Sequence, residues 1–296
     1  MVGVFQSVST ATIIRGRQDH FDHLIAGLAA QRVAPDELVV AHMQPEPPAL
    51  NRSLSFPVRF CKVEGDELPL AAARNAAAMK ASGDILAFLD VDCIADPDFV
   101  RRAAETTSLA VNGVFLPEVR YLPAHRSGWL KKSGLPDYEK LCELGQRHPA
   151  KPALAGIDSA PIADHGELWG LAFIMKRSAW FAAGGMDDAY FGYGAEETDF
   201  GQRLRTAGLS LYWLGGTVAF HQHHAVHKPP LQHFESILRN AALFRDRWGE
   251  WCMDYWLEAF ENAGYIERTG DRIECLRKPS DAEIAAARQP DDVRFS

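Results

Sequence analysis

The feature that most constrains the fold of this chain is the alternation of short apolar strands with helix-like segments. In the first unit, the β-rich run SVSTATII precedes DHFDHLIAGLAAQ, whose apolar residues fall on one helical face, and a further strand begins at residue 38. In the second unit, VRFCKV, the alanine-rich LPLAAARNAAAMKA and the apolar run ILAFL follow in the same order. An uninterrupted apolar strand between helices indicates a parallel sheet that helices cover on both faces. The sequence therefore predicts an α/β fold with a mixed, mainly parallel sheet.

From residue 123 onward the alternation of strands and helices is first interrupted and then gives way to a helical segment. Residues 123–167 are proline-rich and lack periodicity, which is typical of a binding loop or lid. Strand-like and helix-like segments resume near residue 168, and residues 231–263 look helical and rich in tryptophan. We therefore expect one domain over residues 1–230 and a C-terminal helical cap over 231–296, with the charged residues from about 280 onward at the periphery.

The charge and the cysteine content exclude several classes of protein. The formal net charge is −8 without a lysine- or arginine-rich run, so electrostatic capture of nucleic acid is not expected. No segment approaches the roughly 18 apolar residues of a transmembrane helix, and the first residues read as a strand rather than a signal peptide. The five cysteines form no CxxC pair, which favours reduced thiols in a cytoplasmic protein. Peripheral contact with the inner face of a membrane stays open as an alternative.

Two aspartates follow directly after the apolar strand ILAFL. Ligands of open α/β sheets bind beyond the carboxyl ends of the strands, so Asp90 and Asp92 are expected at a ligand-binding edge. Residues two apart in an extended segment point the same way, and two such carboxylates repel each other unless a cation or a hydroxyl group lies between them. Mg²⁺ or Mn²⁺ would suit this pair, because hard divalent ions take oxygen ligands. The alternative is ordinary turn chemistry after a strand.

Three arginines are candidates for binding an anionic ligand. Arg15 and Arg17 follow the first strand, at the edge where Asp90 and Asp92 are expected, although a solvated loop is the alternative. Arg74 lies inside the alanine-rich helix, and a buried arginine needs a partner. That partner is either a core aspartate or a bound diphosphate or sugar.

The run GYGAEETDFGQRL contains the second acidic cluster. Its apolar residues recur at helical spacing, so a helix is expected to begin near Glu196. Acidic residues in a first turn also stabilise the helix dipole, which is the structural alternative for Glu196, Glu197 and Asp199. The preceding glycines allow a ligand to approach the backbone, and Tyr193 could stack on a sugar ring.

The run HQHH supplies His221, His223 and His224 after a strand-like segment. A single histidine is usually structural, but several at the end of a strand favour a metal site. Which of the three binds the metal stays open at this point.

Four segments together resemble one family. FLDVDC resembles the DxD element of GT-A glycosyltransferases, in particular the family 2 enzymes and the β-1,4-galactosyltransferase group. IIRGRQDHFDHL resembles the galactosyltransferase opening strand, arginine pair and helix, and WGLAFIMKRSAWFAAGGMDDAYFGYGAEETDFGQRL resembles the long acceptor-site element. AFHQHHAVHKPPLQHF resembles the segment that bears a metal-binding histidine. The resemblance spans residues 8–234 apart from the proline-rich loop.

The resemblance implies a role for each candidate residue. It implies a GT-A, Rossmann-like domain with a donor half over about 1–122 and an acceptor half over 168–230. The implied catalytic carboxylate is Glu197, and the implied metal ligands are Asp92, His221 and His223. Implied nucleotide-binding residues are Thr12, Arg15, Arg17, Arg74, Asp90, Val91 and Asp92. Implied contacts to the donor sugar or acceptor are Trp169, Gly170, Tyr193, Gly194, Glu196 and Asp199, with core packing as the alternative for Trp169.

The activity that the resemblance implies is an inverting, metal-dependent transfer of a hexose from a UDP-sugar to an acceptor hydroxyl. Galactose or an N-acetylhexosamine is favoured, with Mn²⁺ or Mg²⁺ as cofactor and a glycan, lipid-linked or small-molecule acceptor. Alternative classes are a sugar nucleotidyltransferase, a metal-dependent phosphohydrolase and a non-catalytic sugar- or nucleotide-binding module. The donor sugar, the acceptor and the oligomeric state are not determined by these residues.

Overall fold

A computed structural model of the chain describes residues 6–65, 67–106, 112–124, 128–156 and 158–295. The strands are β1 (Val8–Ile14), β2 (Glu37–His42), β3 (Val58–Lys62), β4 (Ile85–Leu89), β5 (Cys93–Ala95), β6 (Gly113–Tyr121), β7 (Gln146–Arg147), β8 (Ser159–Ile162), β9 (Ala172–Lys176), β10 (Ser210–His221), β11 (Ile266–Thr269) and β12 (Arg272–Cys275). The α-helices are α1 (Gln18–Ala29), α2 (Leu70–Lys80), α3 (Phe99–Glu105), α4 (Tyr138–Leu144), α5 (Arg177–Ala182), α6 (Glu196–Thr206), α7 (Phe234–Trp248), α8 (Asp254–Asn262) and α9 (Asp281–Ala286).

The central sheet is mixed and runs in the order β3-β2-β1-β4-β9-β6-β10-β5, with β7 paired to β6 and β8 to β10. Strands β3, β2, β1 and β4 are parallel to one another, as are β6 and β10, whereas β9 runs antiparallel to both of its neighbours. The predicted α/β class with a mixed, mainly parallel sheet is confirmed.

Helices cover both faces of this sheet, and β4 shows why. Its side chains alternate, so that Leu86 and Phe88 join the cluster under α2, α5 and α6, while Ile85, Ala87 and Leu89 join the cluster under α1 and α3. Burying a large apolar side chain contributes about 1.5–3 kcal/mol. A strand that is apolar on both faces therefore requires two helical layers.

Strand β10 is a single long strand formed by the segments LSLYWLG and TVAFH, each of which is strand-like in the sequence. It continues across Gly215 and Gly216, and its register against β6 shifts between Leu214 and Val218. Its first half pairs with β8, and its second half pairs with β5, where His221 lies opposite Cys93. This pairing carries the end of β10 to the turn after β4.

The predicted helical cap is present as α7, α8 and α9, which enclose an apolar cluster of their own that includes Leu231, Ile237 and Phe260. The hairpin β11–β12 within it was not expected from the sequence. The residues after α9 are mostly exposed or half-buried, and they return to the end of β6, where Nη1 of Arg294 donates to the carbonyl of Tyr121. Among the described residues, no helix is long and apolar enough to cross a membrane.

Candidate functional site

The candidate site lies where β1 and β4 end. Arg15 and Arg17 follow β1, and Asp90 and Asp92 follow β4, so the parallel strands bring these residues to one edge. The end of β10 reaches the same place, since the backbone N–H of Gln222 donates to the carbonyl of Asp92 at 2.6 Å. The prediction that these distant segments meet at a sheet edge therefore agrees with the structure.

Asp92, His221 and His224 form a group that could hold a metal ion. One ligand atom from each lies within 4.8 Å of the others. The Asp92 side chain is 3% exposed, and Nε2 of His224 lies 3.8 Å from its Oδ2. Within the described chain, Nδ1 of His221 is buried without a hydrogen-bond partner, as expected for a nitrogen that awaits a ligand.

The histidines of this group are held neutral. Burial, followed by the proximity of His224, lowers the pKa of His221 well below its usual value. Burial and the charge of Arg17 lower the pKa of His224 to about 4. Neutral imidazoles offer lone pairs to a metal at neutral pH, so one carboxylate and two imidazoles fit a divalent ion such as Mn²⁺.

His223 is not a member of this group, in contrast to the predicted set of Asp92, His221 and His223. The sequence named His223 only as the alternative to His221 and left open which of the three histidines binds the metal. Strand β10 ends at His221, and His224 rather than His223 lies with Asp92 and His221. The Nε2 atom of His223 is buried without a hydrogen-bond partner among the described residues.

The carboxylate of Asp92 is also held by Arg17 and by helix α1. Arg17 contacts its Oδ2, and Nδ1 of His20, in the first turn of α1, lies 2.5 Å from its Oδ1. Burial, followed by the charge of Arg17, lowers the pKa of His20 to about 4, so the ring is neutral and its Nδ1–H can donate to Asp92. The sequence analysis did not identify His20. Its place in the quoted segment QDHFDHL was the available signal, but nothing local indicates that α1 faces the turn after β4.

Gln222 connects the same elements. Its buried side chain donates to the carbonyl of His20 at 3.1 Å, and its Oε1 lies 2.6 Å from Nδ1 of His23. Because its backbone N–H also contacts Asp92, Gln222 links β10, α1 and the turn after β4. This residue, too, was missed from the sequence.

A second charged group surrounds Arg74. Its side chain is 5% exposed, with Nη2 at 3.0 Å from Oε1 of Glu197 and Nη1 at 3.5 Å from Oε1 of Glu196. The partner of this buried arginine is thus a pair of glutamates rather than one core aspartate. Asp90 is buried, which raises its pKa, and it lies close enough to Arg74 and Arg17 for their charges to oppose that rise.

The two glutamates differ in exposure. Helix α6 begins at Glu196, as predicted, and the Glu196 side chain is 7% exposed whereas that of Glu197 is 30% exposed. Burial, followed by the charge of Glu197, raises the pKa of Glu196 to about 7. Glu197 is therefore the member of the pair that can reach a substrate.

Gly170 lies directly against this group. A methyl group at this position would overlap Oε1 of Glu197 and Nη2 of Arg74. The adjacent Trp169 is half-buried, with Nζ of Lys151 3.8 Å from its ring centroid and the ring of His148 at 5.4 Å. The close backbone approach predicted for Gly170 is thus an approach to protein side chains.

Tyr193 and Gly194 lie at the boundary with the C-terminal cap. The ring of Tyr193 stacks on His233 at 4.4 Å, and burial followed by the charges of Glu197 and Glu196 raises its pKa. Gly194 has a φ of 95°, and a methyl group at this position would overlap Sδ of Met253. Tyr193 therefore lies close to the two glutamates but packs against protein rather than presenting a free face.

Asp199 does not line this site. Its side chain is 0% exposed, and its carboxylate accepts hydrogen bonds from Nε of Arg203 at 2.7 Å and from Nε1 of Trp248 at 2.9 Å. These partners give Asp199 a structural role, in place of the sugar contact that the resemblance implied. The helical register explains the difference, because Asp199 points to α7 rather than to the edge of the sheet.

Thr12 and Val91 are buried at 1% and 5% exposure. Thr12 lies within β1, and its Oγ1 has no hydrogen-bond partner among the described residues. Val91 packs in the cluster under α1 and α3. Of the nucleotide-binding residues that were implied, Arg15, Arg17, Arg74, Asp90 and Asp92 supply the charged groups.

A cleft of about 440 Å³ lies beside the charged groups. Arg15, Leu68 and Gly192 line it from the sheet domain, and residues 231–236 with Lys278 and Ile284 line it from the cap. The C-terminal cap, expected only to pack, thus supplies one wall of an opening next to the site.

Two family models match this chain in succession. Residues 25–148 match the model described as Glycosyl transferase family 2, and residues 158–228 match the model described as N-terminal domain of galactosyltransferase. The first segment contains Asp90 and Asp92, and the second contains Glu197 and His221. The resemblance predicted from the sequence is confirmed by these matches.

A curated relative matches a shorter part of the chain. Over 88 residues, this chain is 35% identical to an N-acetylglucosaminyl-diphospho-decaprenol L-rhamnosyltransferase of Mycobacterium tuberculosis. The match covers 29% of this chain and 28% of the relative. The chain therefore aligns with little more than a quarter of that relative's length.

Solved structures support the fold. A crystal structure of GalNAc-T7 with UDP, GalNAc and Mn²⁺ has a TM-score of 0.55 at 16% identity, covering 74% of this chain and 44% of that one. Residues 1–349 of S. aureus TarS with UDP-GlcNAc have a TM-score of 0.54 at 14% identity, covering 81% of this chain and 66% of that one. These similarities confirm the GT-A fold.

Proposed function

Since this chain resembles the family 2 glycosyltransferases and the galactosyltransferase group and has their GT-A fold, we propose that it is a metal-dependent glycosyltransferase that uses a UDP-sugar. The observation that carries the proposal is the convergence of Asp92, His221 and His224 at the carboxyl edge of the sheet. Asp92 and the two histidines would hold Mn²⁺ or Mg²⁺, which when bound neutralises charge on a leaving diphosphate.

The arginines of the site would bind the donor. Arg15 lines the cleft and Arg17 contacts Asp92, so both lie where the phosphates of a nucleotide would meet the metal ligands. GalNAc-T7 and TarS were crystallised with UDP and with UDP-GlcNAc, which favours UDP as the nucleotide here. For the sugar we favour galactose or an N-acetylhexosamine.

Glu197 would act as the general base. Arg74 holds Oε1 of Glu197 at 3.0 Å, while 30% exposure leaves the side chain able to reach an acceptor hydroxyl. The hydroxyl proton passes to Glu197 as its oxygen attacks the anomeric carbon, and the bond from that carbon to the diphosphate breaks with the electron pair leaving on the phosphate oxygen. In-line attack inverts the anomeric configuration. The acceptor would be a glycan, a lipid-linked sugar or a small molecule with a free hydroxyl.

The experiment that tests the proposal is UDP release from a panel of UDP-sugars, with Mn²⁺, with Mg²⁺ and with a chelator. We expect release from at least one hexose donor, its loss with the chelator, and its recovery with added metal. Metal-independent release would contradict the metal role. Calorimetry showing no heat with UDP and Mn²⁺ would favour a sugar-binding module instead.

Two other enzyme classes predict different products. A sugar nucleotidyltransferase would release or consume pyrophosphate, and a phosphohydrolase would release inorganic phosphate without an acceptor. The segment after β1 is RGR and contains one glycine, so it does not supply the glycine-rich phosphate loop that a nucleotidyltransferase needs. Either of these products in place of UDP would overturn the proposal.

We also propose that residues 1–230 form the catalytic domain and 231–296 an extension of it, and that the protein works in the cytoplasm. All five cysteines are free thiols, as expected in a reducing compartment. Subcellular fractionation would test the location, and a location outside the cytoplasm would contradict it.

A further inference from the structure

We propose that the last described residues, 287–295, form a C-terminal strap that positions the metal-binding end of β10, with Arg294 and Phe295 as its positioning residues. The consequence of this strap for catalysis rests on the proposed function. The contacts that the strap makes do not.

The strap first pairs with the segment that follows the metal-binding histidines. The N–H of Gln289 donates to the carbonyl of Val226 at 2.8 Å, and the N–H of Lys228 donates to the carbonyl of Ala287 at 2.9 Å. These bonds fix residues 226–228, directly after His224. The far end of the histidine segment is therefore held by the strap rather than by the sheet.

Arg294 then ties the strap to the end of β6. Its Nη1 donates to the carbonyl of Leu144 at 2.7 Å and to that of Tyr121 at 3.2 Å. Tyr121 is the register partner of His221 in the parallel β6–β10 pair. The next N–H, of Leu122, donates to the carbonyl of His221 at 2.8 Å. A guanidinium that holds Tyr121 in place thus also fixes the backbone of a proposed metal ligand.

Phe295 completes the contact through side chains. Its ring lies 5.0 Å from that of Tyr121, and the ring of Tyr121 lies 4.8 Å from that of His221. Aromatic pairs at these separations prefer defined geometries, so this row of rings restricts the orientation of the His221 imidazole. Residues that orient a metal ligand commonly change metal affinity by about 10–100-fold when removed.

The same ring also contacts the acceptor side of the site. Phe295 lies 4.9 Å from His148, which lies 5.4 Å from Trp169, the neighbour of Gly170. The Phe295 side chain therefore touches both the row of rings that leads to His221 and the row that ends at Trp169, next to Gly170.

The test compares the double variant Arg294→Ala/Phe295→Ala with the wild-type protein and with Arg288→Ala. Arg288 is a suitable control because its side chain is 57% exposed and pairs only locally in the described chain, with Asp291 at 3.4 Å. The first measurement is amide hydrogen exchange. We expect exchange in residues 118–122 and 221–228 to accelerate on the order of tenfold in the double variant, with α1 and α2 unchanged.

The second measurement is Mn²⁺ affinity in the presence of UDP, by calorimetry. The double variant should bind Mn²⁺ about tenfold more weakly, whereas Phe295→Tyr, which keeps the ring, and Arg288→Ala should bind like the wild type. Unchanged exchange and unchanged affinity in the double variant would overturn the proposal. If the wild-type protein itself binds no UDP and Mn²⁺, the proposed function fails, and hydrogen exchange alone still decides whether the strap orders the end of β10.

Discussion

Gly170 and Glu197 lie so close that a single methyl group at position 170 would overlap the carboxylate oxygen of the proposed base. The same methyl group would overlap the guanidinium of Arg74, which holds that carboxylate at 3.0 Å. The glycine therefore determines where Glu197 can lie.

The substitution Gly170→Ala should displace Glu197 and lower kcat. A misplacement of about 1 Å at a reacting group costs on the order of 10²-fold. UDP binding with Mn²⁺ should fall much less than kcat, because Asp92 and the histidines are untouched and only Arg74 of the charged groups is displaced. The control is Gly128→Ala, where the added methyl group meets no described atom within 4 Å. Normal turnover in Gly170→Ala would contradict the placement of Glu197.

Glu197→Gln should lower kcat on the order of 10²–10⁴-fold, because general-base assistance contributes that much. Calorimetry should show donor binding nearly unchanged. Glu196→Gln is the matched comparison, since it neutralises the neighbouring, 7% exposed carboxylate and leaves that of Glu197 in place. We expect it to retain most of its turnover. If Glu196→Gln proves inactive and Glu197→Gln active, the two roles must be exchanged.

His221→Ala should weaken Mn²⁺ binding by at least about 10²-fold in the presence of UDP, a loss larger than that seen for groups that only orient a ligand. His223→Ala should leave it close to the wild-type value, because His223 is not part of the Asp92–His221–His224 group. Calorimetric titration of each variant with Mn²⁺ distinguishes them. A large loss with His223→Ala alone would place His223, rather than His221, in the metal site.

Glu37 should give the stability of the fold a specific pH dependence. Burial by itself would raise its pKa, but hydrogen bonds from Ser9, Ser82 and Arg59 outweigh it and lower the pKa from 4.5 to about 2. A lowered pKa stabilises the fold above the unfolded value, so this stabilisation is complete above pH 4.5 and is lost as the pH falls towards 2. The shift corresponds to about 3 kcal/mol.

Urea denaturation of Glu37→Gln against the wild type, from pH 7 to pH 3, measures this effect. The difference in the free energy of unfolding should shrink steadily below pH 4.5. Glu64→Gln is the control, because that side chain is 84% exposed, and it should show no such trend. A difference for Glu37→Gln that does not change with pH would rule out the hydrogen-bonded carboxylate as its source.

The parts of the site that could be predicted are those with a local signal. Asp90 and Asp92 were found because an apolar strand leads directly into them, and the start of α6 at Glu196 because apolar residues recur at helical spacing after it. Several histidines after a strand-like run indicated a metal site, and the resemblance singled out His221. In each case a short stretch of sequence determines both the element and the residue at its end.

The remaining residues of the site could not be predicted, because their positions depend on how helices and strands pack against one another. His223 was named as the alternative to His221 because the resemblance alone does not fix which histidine of HQHH faces Asp92, and the packing of the chain beyond β10 brings His224 there instead. His20 and Gln222 reach Asp92 only because α1 packs beside the turn after β4. The residues after α9 have no periodicity, and their role depends on single side chains such as Arg294.

The antiparallel pairing of β5 with the end of β10 has a consequence for how the protein acquires its chemistry. Cys93 and His221 become neighbours only when a late part of the chain closes onto an early one, and contacts between residues so far apart along the chain form slowly and late. An unfolded or half-made polypeptide would therefore have little affinity for the ion. A ligand that binds only the native state stabilises that state by mass action. Added Mn²⁺ would therefore stabilise the folded protein without assisting the early steps of folding.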